Sequence, residues 1–303
     1  MMFYVLLYIV MNTTSCNNLG YSEEKGMSFK IVGDSCTDFT VEDFAKGYNV
    51  SVPLTINVGD VEIVDDETFD QRDFLKKVAE AKECPKSACP SPEMYMQSFE
   101  GADDVYVVTL SAQLSGSYNS AQVAKELYQE EHPEVNVHVF DSCSASSGQF
   151  LIVHQIEQLA LKGMKFENIV EQVTKFRDEM QTTFVLETLE VLRKNGRLSG
   201  MKAVVASALN IKPYMKAENG TIQQAGQARG MRKALDKMIE YIGEVGQNFS
   251  EKTVIIANCN CPERAKEVEK ELMERYHFKE SLIISTKGIS SLYAADGGII
   301  VSF

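Results

Sequence analysis

The sequence predicts an α/β protein of two domains, an N-terminal domain with a doubly wound, mostly parallel sheet and a C-terminal α/β domain. Short apolar runs that end in turn residues alternate with amphipathic helical stretches, an order that places helices on both faces of a parallel sheet. After residue 180 the elements shorten and an Asn-Gly turn appears. We therefore predict domains at 28–180 and 181–303, preceded by an N-terminal extension over 1–27.

The N-terminal domain is predicted to alternate strands and helices from its first residues. Apolar runs predict strands at 29–34, 50–57, 104–110 and 136–141. Helical periodicity predicts helices at 41–47, 70–82, 117–130, 150–162 and 167–180, and a further helix that begins near Ser91. The prolines Pro85, Pro90 and Pro92 predict an extended loop, because each fixes φ and restricts the residue before it.

The C-terminal domain is predicted to combine a hairpin with further strands and helices. Strands are predicted at 182–186, 211–217, 221–228, 254–258, 281–285 and 297–303. Helices are predicted at 189–195, 202–209 and 231–245, and along the apolar positions Ala265, Val268, Leu272 and Tyr276. Asn219-Gly220 predicts the hairpin turn. In sheets of the parallel type, ligands bind beyond the carboxyl ends of the strands.

Composition excludes several classes of protein. The 303 residues are 44% hydrophobic and carry a formal charge of −13, with no long run of Lys and Arg. This balance argues against nucleic acid and anionic membranes as partners, since both require a basic surface. The seven cysteines are odd in number and irregularly spaced, which favours reduced thiols in the cytoplasm over disulfides or a metal site.

The N-terminal extension begins with an apolar run over residues 1–10. This run is too short to span a bilayer, which needs about 20 residues, so we expect no stable membrane insertion. A signal peptide requires positive charge before the apolar run, and here the first charged residue is Glu23. Met27 immediately precedes the first predicted strand, and we expect residues 1–26 to be an upstream translation artefact. A genuine export signal is the alternative.

Three segments carry candidate binding residues. Ser111–Tyr118 follows a buried strand and opens a helix, where backbone N–H groups and the helix dipole suit an anion, and Ser115 is suited to cap the helix or to donate its hydroxyl. The loop 85–92 is stiffened by proline and offers Ser87. Arg197 leaves an Asn-Gly turn, where a solvated arginine is the simpler interpretation. The sequence contains no nucleophile elbow, dinucleotide fingerprint or phosphate loop.

Together these segments resemble the DegV family, over residues 30–303. The segment at 110–118 is similar to its Ser-x-x-Leu-Ser-Gly-Thr/Ser-Tyr motif, and the loop 85–92 to its Thr-Ser-x-Pro-Ser loop, with Ser87-Ala88 in place of Thr-Ser. Further similar segments are Asp34-Ser35, 140–142 with its Asp-Ser turn, 189–199 with Leu-x-x-Leu-x-x-Gly-Gly-Arg-Ile-Ser, 209–213 with Leu-x-x-Lys-Pro, and 228–230 with Val-Arg-Gly/Thr.

The resemblance implies a DegV-like fold in which one long-chain fatty acid is buried and its carboxylate is held by hydroxyls. Carried over to this chain, the ligand-binding residues are Ser87 and Ser115, with Gly116 and Ser117 as backbone neighbours. Tyr293 stands where the family usually has a histidine, and its hydroxyl can donate a hydrogen bond but is no base at neutral pH.

The resemblance also implies a carrier rather than an enzyme. Such a protein presents the fatty acid to a separate fatty acid kinase, needs no cofactor, and serves phospholipid metabolism. Arg197 and Arg229 are then implied in docking the kinase or its phosphate. The residues leave two alternatives: a hydrolase or transferase acting on a small acylated or phosphorylated substrate with Ser115 as nucleophile, or a binding module for another apolar ligand.

Overall fold

The computed structural model describes residues 29–198 and 210–303. The N-terminal part contains strands and helices in the following order: β1 (Phe29–Asp34), α1 (Val41–Ala45), β2 (Asn49–Val52), β3 (Thr55–Val58), β4 (Val61–Val64), α2 (Gln71–Glu80), β5 (Lys86–Ala88), α3 (Pro92–Phe99), β6 (Asp104–Thr109), α4 (Ser117–Glu131), β7 (Asn136–Asp141), α5 (Ser147–Ala160) and α6 (Phe166–Glu179).

The C-terminal part follows directly after α6, so the predicted domain boundary falls between α6 and the next strand. Its elements are β8 (Thr182–Val185), α7 (Glu190–Lys194), β9 (Ile211–Glu218), β10 (Thr221–Arg229), α8 (Met231–Val245), β11 (Thr253–Asn258), α9 (Pro262–Tyr276), β12 (Glu280–Ser285), α10 (Gly288–Ala294) and β13 (Ile299–Ser302).

The N-terminal sheet confirms the predicted doubly wound parallel architecture. Its strand order is β2-β1-β6-β7, and every neighbouring pair is parallel. Helices α3 and α4 cover one face, where Tyr95 and Ala121 pack with Val107. Helices α5 and α6 cover the other face, with Ile156 and Ile169 in its core. Burial on both faces explains the apolar run at 105–108 in β6, a strand whose six residues are all buried.

The C-terminal sheet is mixed, with the order β10-β9-β8-β13-β11-β12 and only the β11–β12 pair parallel. Helices α8 and α9 cover one face, where Met238 and Leu272 are buried. Residues of α5 share a core with Ile255 and Ala257 of β11, so this helix lies between the two sheets. The hydrophobic core is therefore continuous from one sheet to the other.

The predicted strand over 50–57 is wrong as a single element. Pro53 lacks a backbone N–H and separates β2, which pairs with β1, from β3, which pairs antiparallel with β4 and β5 in a third, small sheet. Two strands of that sheet, β4 and β5, escape the sequence prediction because they are short and mostly exposed. The loop predicted at 85–92 therefore contains a strand at its start.

Two further predictions concern the C-terminal part. The hairpin is confirmed, because β9 pairs antiparallel with β10 and both Asn219 and Gly220 have positive φ angles of 50° and 75°. Helix α10 was not predicted, since its small residues carry little helical periodicity. The helix predicted at 202–209 and the extension at 1–27 lie outside the described residues. Among the described residues, no helix combines the length and the apolar character needed to cross a membrane.

Candidate functional site

A mostly apolar cavity of about 350 Å³ lies between the loops at the carboxyl ends of the N-terminal strands and the C-terminal sheet. This volume falls within the range typical of small-molecule pockets. Both domains contribute to its wall, as does the hairpin β9–β10. The larger apolar lining residues are Leu54, Leu110, Leu114, Phe184, Leu186, Leu192, Ile222, Ile289 and Ile300.

Four of the residues predicted from the sequence line the cavity with polar groups. We call this set the polar mouth: Ser87, Ser115, Arg197 and Tyr293. Gly116 also lines the cavity and is exposed. The hydroxyl oxygens of Ser87 and Tyr293 lie 3.3 Å apart, although the two residues are 206 positions apart in the chain. The structure thus brings residues of four distant segments together on the wall of one cavity.

Two local features place Ser87 beside Ser115. Strand β5 pairs with β3, with Ser87 opposite Ile56, and this pairing sets which side chain of the loop turns inward. The second feature is Gly116, because a Cβ atom at that position would lie 2.9 Å from Cys89 Sγ. The absent side chain lets the loop after β5 approach the start of α4.

Ser115 precedes the N-terminus of α4 rather than capping it, since Gly116 occupies the N-cap position. The Ser115 hydroxyl accepts a 3.2 Å hydrogen bond from the backbone N–H of Ser117 and lies 3.1 Å from the Ser117 hydroxyl. The helix dipole favours negative charge at this end. Ser117 itself is buried and does not line the cavity, so its role here is to hold the Ser115 hydroxyl through its backbone N–H.

The two arginines occupy different environments. Arg197 is half-buried at the polar mouth, where its Nε donates to the Leu114 carbonyl at 3.2 Å and its guanidinium also donates to the Asn195 carbonyl. Among the residues that the structure describes, no carboxylate forms an ion pair with Arg197. Arg229 ends β10, is exposed, and does not line the cavity. Only Arg197 is therefore placed to meet a ligand directly.

Among the described residues, Ser115 has no partner that would activate it as a nucleophile. Within 29–198 and 210–303, no His, Asp or Glu lines the cavity or hydrogen-bonds to Ser115. His138 lies in β7 with its ring 4.4 Å from that of Phe140, and burial lowers its pKa to about 4. At the polar mouth, the described residues therefore offer hydrogen-bond donors and a cation to an anionic group, and none of them is a general base beside Ser115. Elsewhere on the wall, the Ser146 hydroxyl donates a 2.6 Å hydrogen bond to Asp38.

Comparison with known proteins identifies the family. Residues 28–302 match the sequence model of the family described as uncharacterised protein, DegV family. The chain belongs to the DegV family. A DegV domain-containing protein from Streptococcus gordonii is 38% identical over 280 residues, which cover 91% of this chain and 99% of the relative.

Solved DegV structures share the whole fold. A DegV-family protein from Ruminococcus gnavus, refined with vaccenic acid, is 50% identical to this chain, with a TM-score of 0.89. The match covers 91% of this chain and 100% of that protein. The Streptococcus pneumoniae fatty acid kinase B3 protein, loaded with linoleic acid, is 34% identical with a TM-score of 0.84, over 91% of this chain and 99% of that protein. Both relatives thus carry a long-chain fatty acid.

In this DegV protein, two buried carboxylates that the sequence analysis missed hold the helix that bears Tyr293. Asp65 accepts hydrogen bonds from the backbone N–H groups of Gly288 and Ile289, at 2.6 and 2.8 Å, at the start of α10. Asp38 accepts from the Lys287 backbone at 2.6 Å. Burial raises the pKa of Asp65 to about 6 and that of Asp38 to about 7. No sequence motif signals these contacts, because each spans more than 200 positions.

Proposed function

We propose that this protein binds one long-chain fatty acid, with the tail in the apolar cavity and the carboxylate at the polar mouth. The observation that carries the proposal is the asymmetry of the cavity. Its wall is mainly apolar, and the hydroxyls of Ser144, Ser146 and Thr182 in that wall are hydrogen-bonded within the protein. At the polar mouth, Ser87, Ser115 and Tyr293 offer hydroxyl groups beside Arg197, which has no carboxylate partner among the described residues. The fatty acids bound to the two related DegV structures support the same ligand class.

The energetics favour such a ligand. Burial of one methylene contributes about 0.8 kcal/mol, so the roughly fourteen methylenes of a C16 acid contribute about 11 kcal/mol before the cost of association. A hydrogen bond to a charged carboxylate adds about 1.5 to 3 kcal/mol. The tail therefore sets the affinity, while the hydroxyls and Arg197 set the orientation of the head group.

The proposed role is that of a cytoplasmic carrier that performs no chemistry and needs no cofactor. It presents the carboxylate to a separate fatty acid kinase, which transfers phosphate to it from ATP. Similarity to the fatty acid kinase B3 protein supports this partner. Arg229, exposed and away from the cavity, is proposed to dock the kinase, and Arg197 to contact the head group or the transferred phosphate.

The first experiment is native mass spectrometry of protein purified without detergent, followed by extraction and identification of the bound molecule. A stoichiometric fatty acid supports the proposal. An empty protein that also fails to take up added palmitate or oleate contradicts it. Hydrolysis of small esters that disappears in Ser115→Ala would instead support the enzyme with Ser115 as nucleophile.

The presentation step has a separate test with the kinase. Ser115→Ala removes one hydroxyl at the head group but none of the tail contacts, so we expect acyl-phosphate formation to fall more than fatty acid binding. Arg229→Ala should leave binding unchanged and weaken acyl-phosphate formation at limiting kinase. Equal retention of acyl-phosphate formation in both variants would contradict the assigned roles.

A further inference from the structure

One side-chain amide connects two walls of the polar mouth. The Asn195 Nδ2 atom lies 3.0 Å from the Pro85 carbonyl oxygen and 3.5 Å from the Tyr293 hydroxyl. A carbonyl oxygen can only accept a hydrogen bond, so the amide atom that faces Pro85 must be the nitrogen. This contact settles which way the amide of Asn195 points, independently of its contact with Tyr293.

The orientation of Asn195 determines the direction of the next hydrogen bonds. Its second N–H is donated to the Tyr293 oxygen, so the phenolic proton of Tyr293 must point elsewhere. The nearest described partner is Ser87 Oγ at 3.3 Å, and either oxygen of this pair can be the donor. Because the Tyr293 oxygen already accepts from Asn195, the direction that completes both hydroxyls has Tyr293 donate to Ser87. Ser87 already receives a hydrogen bond from this side, and its own O–H is therefore left to point into the cavity that it lines.

We propose that Asn195 is a positioning residue that makes the polar mouth a hydrogen-bond donor and so selects an ionised carboxylate over an alcohol of the same chain length. The inference rests on the proposed function and adds a cause of its head-group selectivity. A carboxylate has only acceptor atoms and bonds strongly to a donor. If these hydrogen bonds ran in the opposite direction, Ser87 would present lone pairs to the cavity. Lone pairs repel a carboxylate but accept the proton of an alcohol.

The test reverses the direction of the hydrogen bonds between Asn195, Tyr293 and Ser87 by replacing the amide nitrogen of Asn195 with an oxygen. In Asn195→Asp the carboxylate can only accept, so it loses the hydrogen bond to the Pro85 carbonyl, Tyr293 donates to it, and Ser87 donates to Tyr293. The loss of the Pro85 contact is the same in the Tyr293→Phe background. Asn195 ends α7 with φ −88° and ψ 6°, a conformation that aspartate also adopts. The matched control is Tyr293→Phe, alone and combined with Asn195→Asp, because it removes the link between Asn195 and Ser87 while keeping the added charge.

The readout is the ratio of the two complexes seen by native mass spectrometry after the protein takes up lipid from vesicles that contain equal amounts of hexadecanoic acid and hexadecanol. This ratio does not depend on the fraction of protein that is folded. We expect Asn195→Asp to lower the acid-to-alcohol ratio by about tenfold or more, the effect of one hydrogen bond to a charged group. In the Tyr293→Phe background, the same substitution should change the ratio much less.

The outcomes separate this inference from the proposed function. A protein that takes up neither lipid overturns both. A protein that binds the acid, but whose ratio is unchanged by Asn195→Asp, keeps its function and overturns the role of Asn195. An equal fall of the ratio with and without the Tyr293 hydroxyl shows that the added charge acts directly on the ligand, and this result also overturns the proposed hydrogen-bond chain.

Discussion

The hydroxyl of Ser111 donates a 2.7 Å hydrogen bond to the backbone carbonyl of Gly220. Ser111 follows β6, and Gly220 forms the turn of the β9–β10 hairpin, so this bond joins the N-terminal sheet region to the hairpin beside the cavity that Gly220 lines. Gly220 has a φ of 75°, and a Cβ atom there would lie 2.6 Å from Ser111 Oγ. The Asn-Gly turn thus serves both the hairpin and the domain contact.

Ser111→Ala should destabilise the protein, because it leaves the buried Gly220 carbonyl and the Gln113 N–H without their partner. The expected loss in the free energy of unfolding is about 1–3 kcal/mol, measured by urea denaturation. Ser250→Ala is the control, since Ser250 is exposed and should change stability by less than about 0.5 kcal/mol. Equal stability of both variants would show that the bond contributes nothing.

Gly116→Ala should weaken fatty acid binding, because its Cβ would lie 2.9 Å from Cys89 Sγ, so that the exposed Cys89 side chain must rotate or the loop that carries Ser87 must shift. We expect a loss of about tenfold in affinity, equivalent to about 1.4 kcal/mol and within the usual cost of overpacking. The binding of palmitate measures it.

The rescue of this variant is specific. Cys89→Ala removes the sulfur, and the next atom of that residue, its Cβ, lies 3.9 Å from the added methyl group, an ordinary contact. The double variant should therefore bind palmitate as the unmodified protein does. Persistence of the defect in the double variant would mean that Gly116 acts through something other than this close approach.

The raised pKa of Asp38 predicts how the free energy of unfolding depends on pH. Burial raises its pKa from 3.8 to about 7 in the folded protein, so between these values the folded state binds more protons than the unfolded state. Stability from this group is therefore present at low pH and is lost as the pH rises through about 7. Urea denaturation at several pH values between about 5 and about 8 should show this fall.

Asp38→Asn removes the titration without removing the contacts. An asparagine can accept from the Lys287 N–H and donate to the Ser146 hydroxyl, and it tolerates the φ of 60° at this position. We expect a smaller loss of stability with rising pH, with the remainder due to Asp34 and Asp65, whose pKa values burial raises to about 6. Asp60→Asn, which removes an exposed charge, should leave the profile unchanged.

Ala217→Leu should shorten the acyl chains that the cavity accepts, because Ala217 lines the cavity from β9. Exclusion of two to three methylenes costs about 2 kcal/mol, or roughly thirtyfold in affinity for a C16 acid. A short acid such as decanoate should bind the variant as well as the parent, and isothermal titration of both acids measures the difference. Equal losses for both acids would place Ala217 outside the path of the tail.

Much of the secondary structure is predictable from local pattern. The apolar runs of β1, β6 and β7 are buried on both faces, and the start of α4 and the hairpin turn at Asn219-Gly220 follow from residues only a few positions apart. The break at Pro53 can also be predicted from the sequence, but the sequence does not show which sheet β2 and β3 each join. That choice depends on strands β4 and β5, whose exposed residues carry no clear periodicity.

The sequence by itself determined the alternation of strands and helices and the segments that resemble the family's motifs, because each depends on residue types within a short window. Through that resemblance it also indicated the four residues of the polar mouth. Only the tertiary structure decided that Asn195 and Tyr293, 98 positions apart, share a hydrogen bond, and that Ser117 lies behind Ser115 rather than in the cavity. The physical reason is that the directions of the side chains at the cavity depend on packing between two sheets and the helix α5 between them, and such long-range contacts leave no periodic signal in the chain.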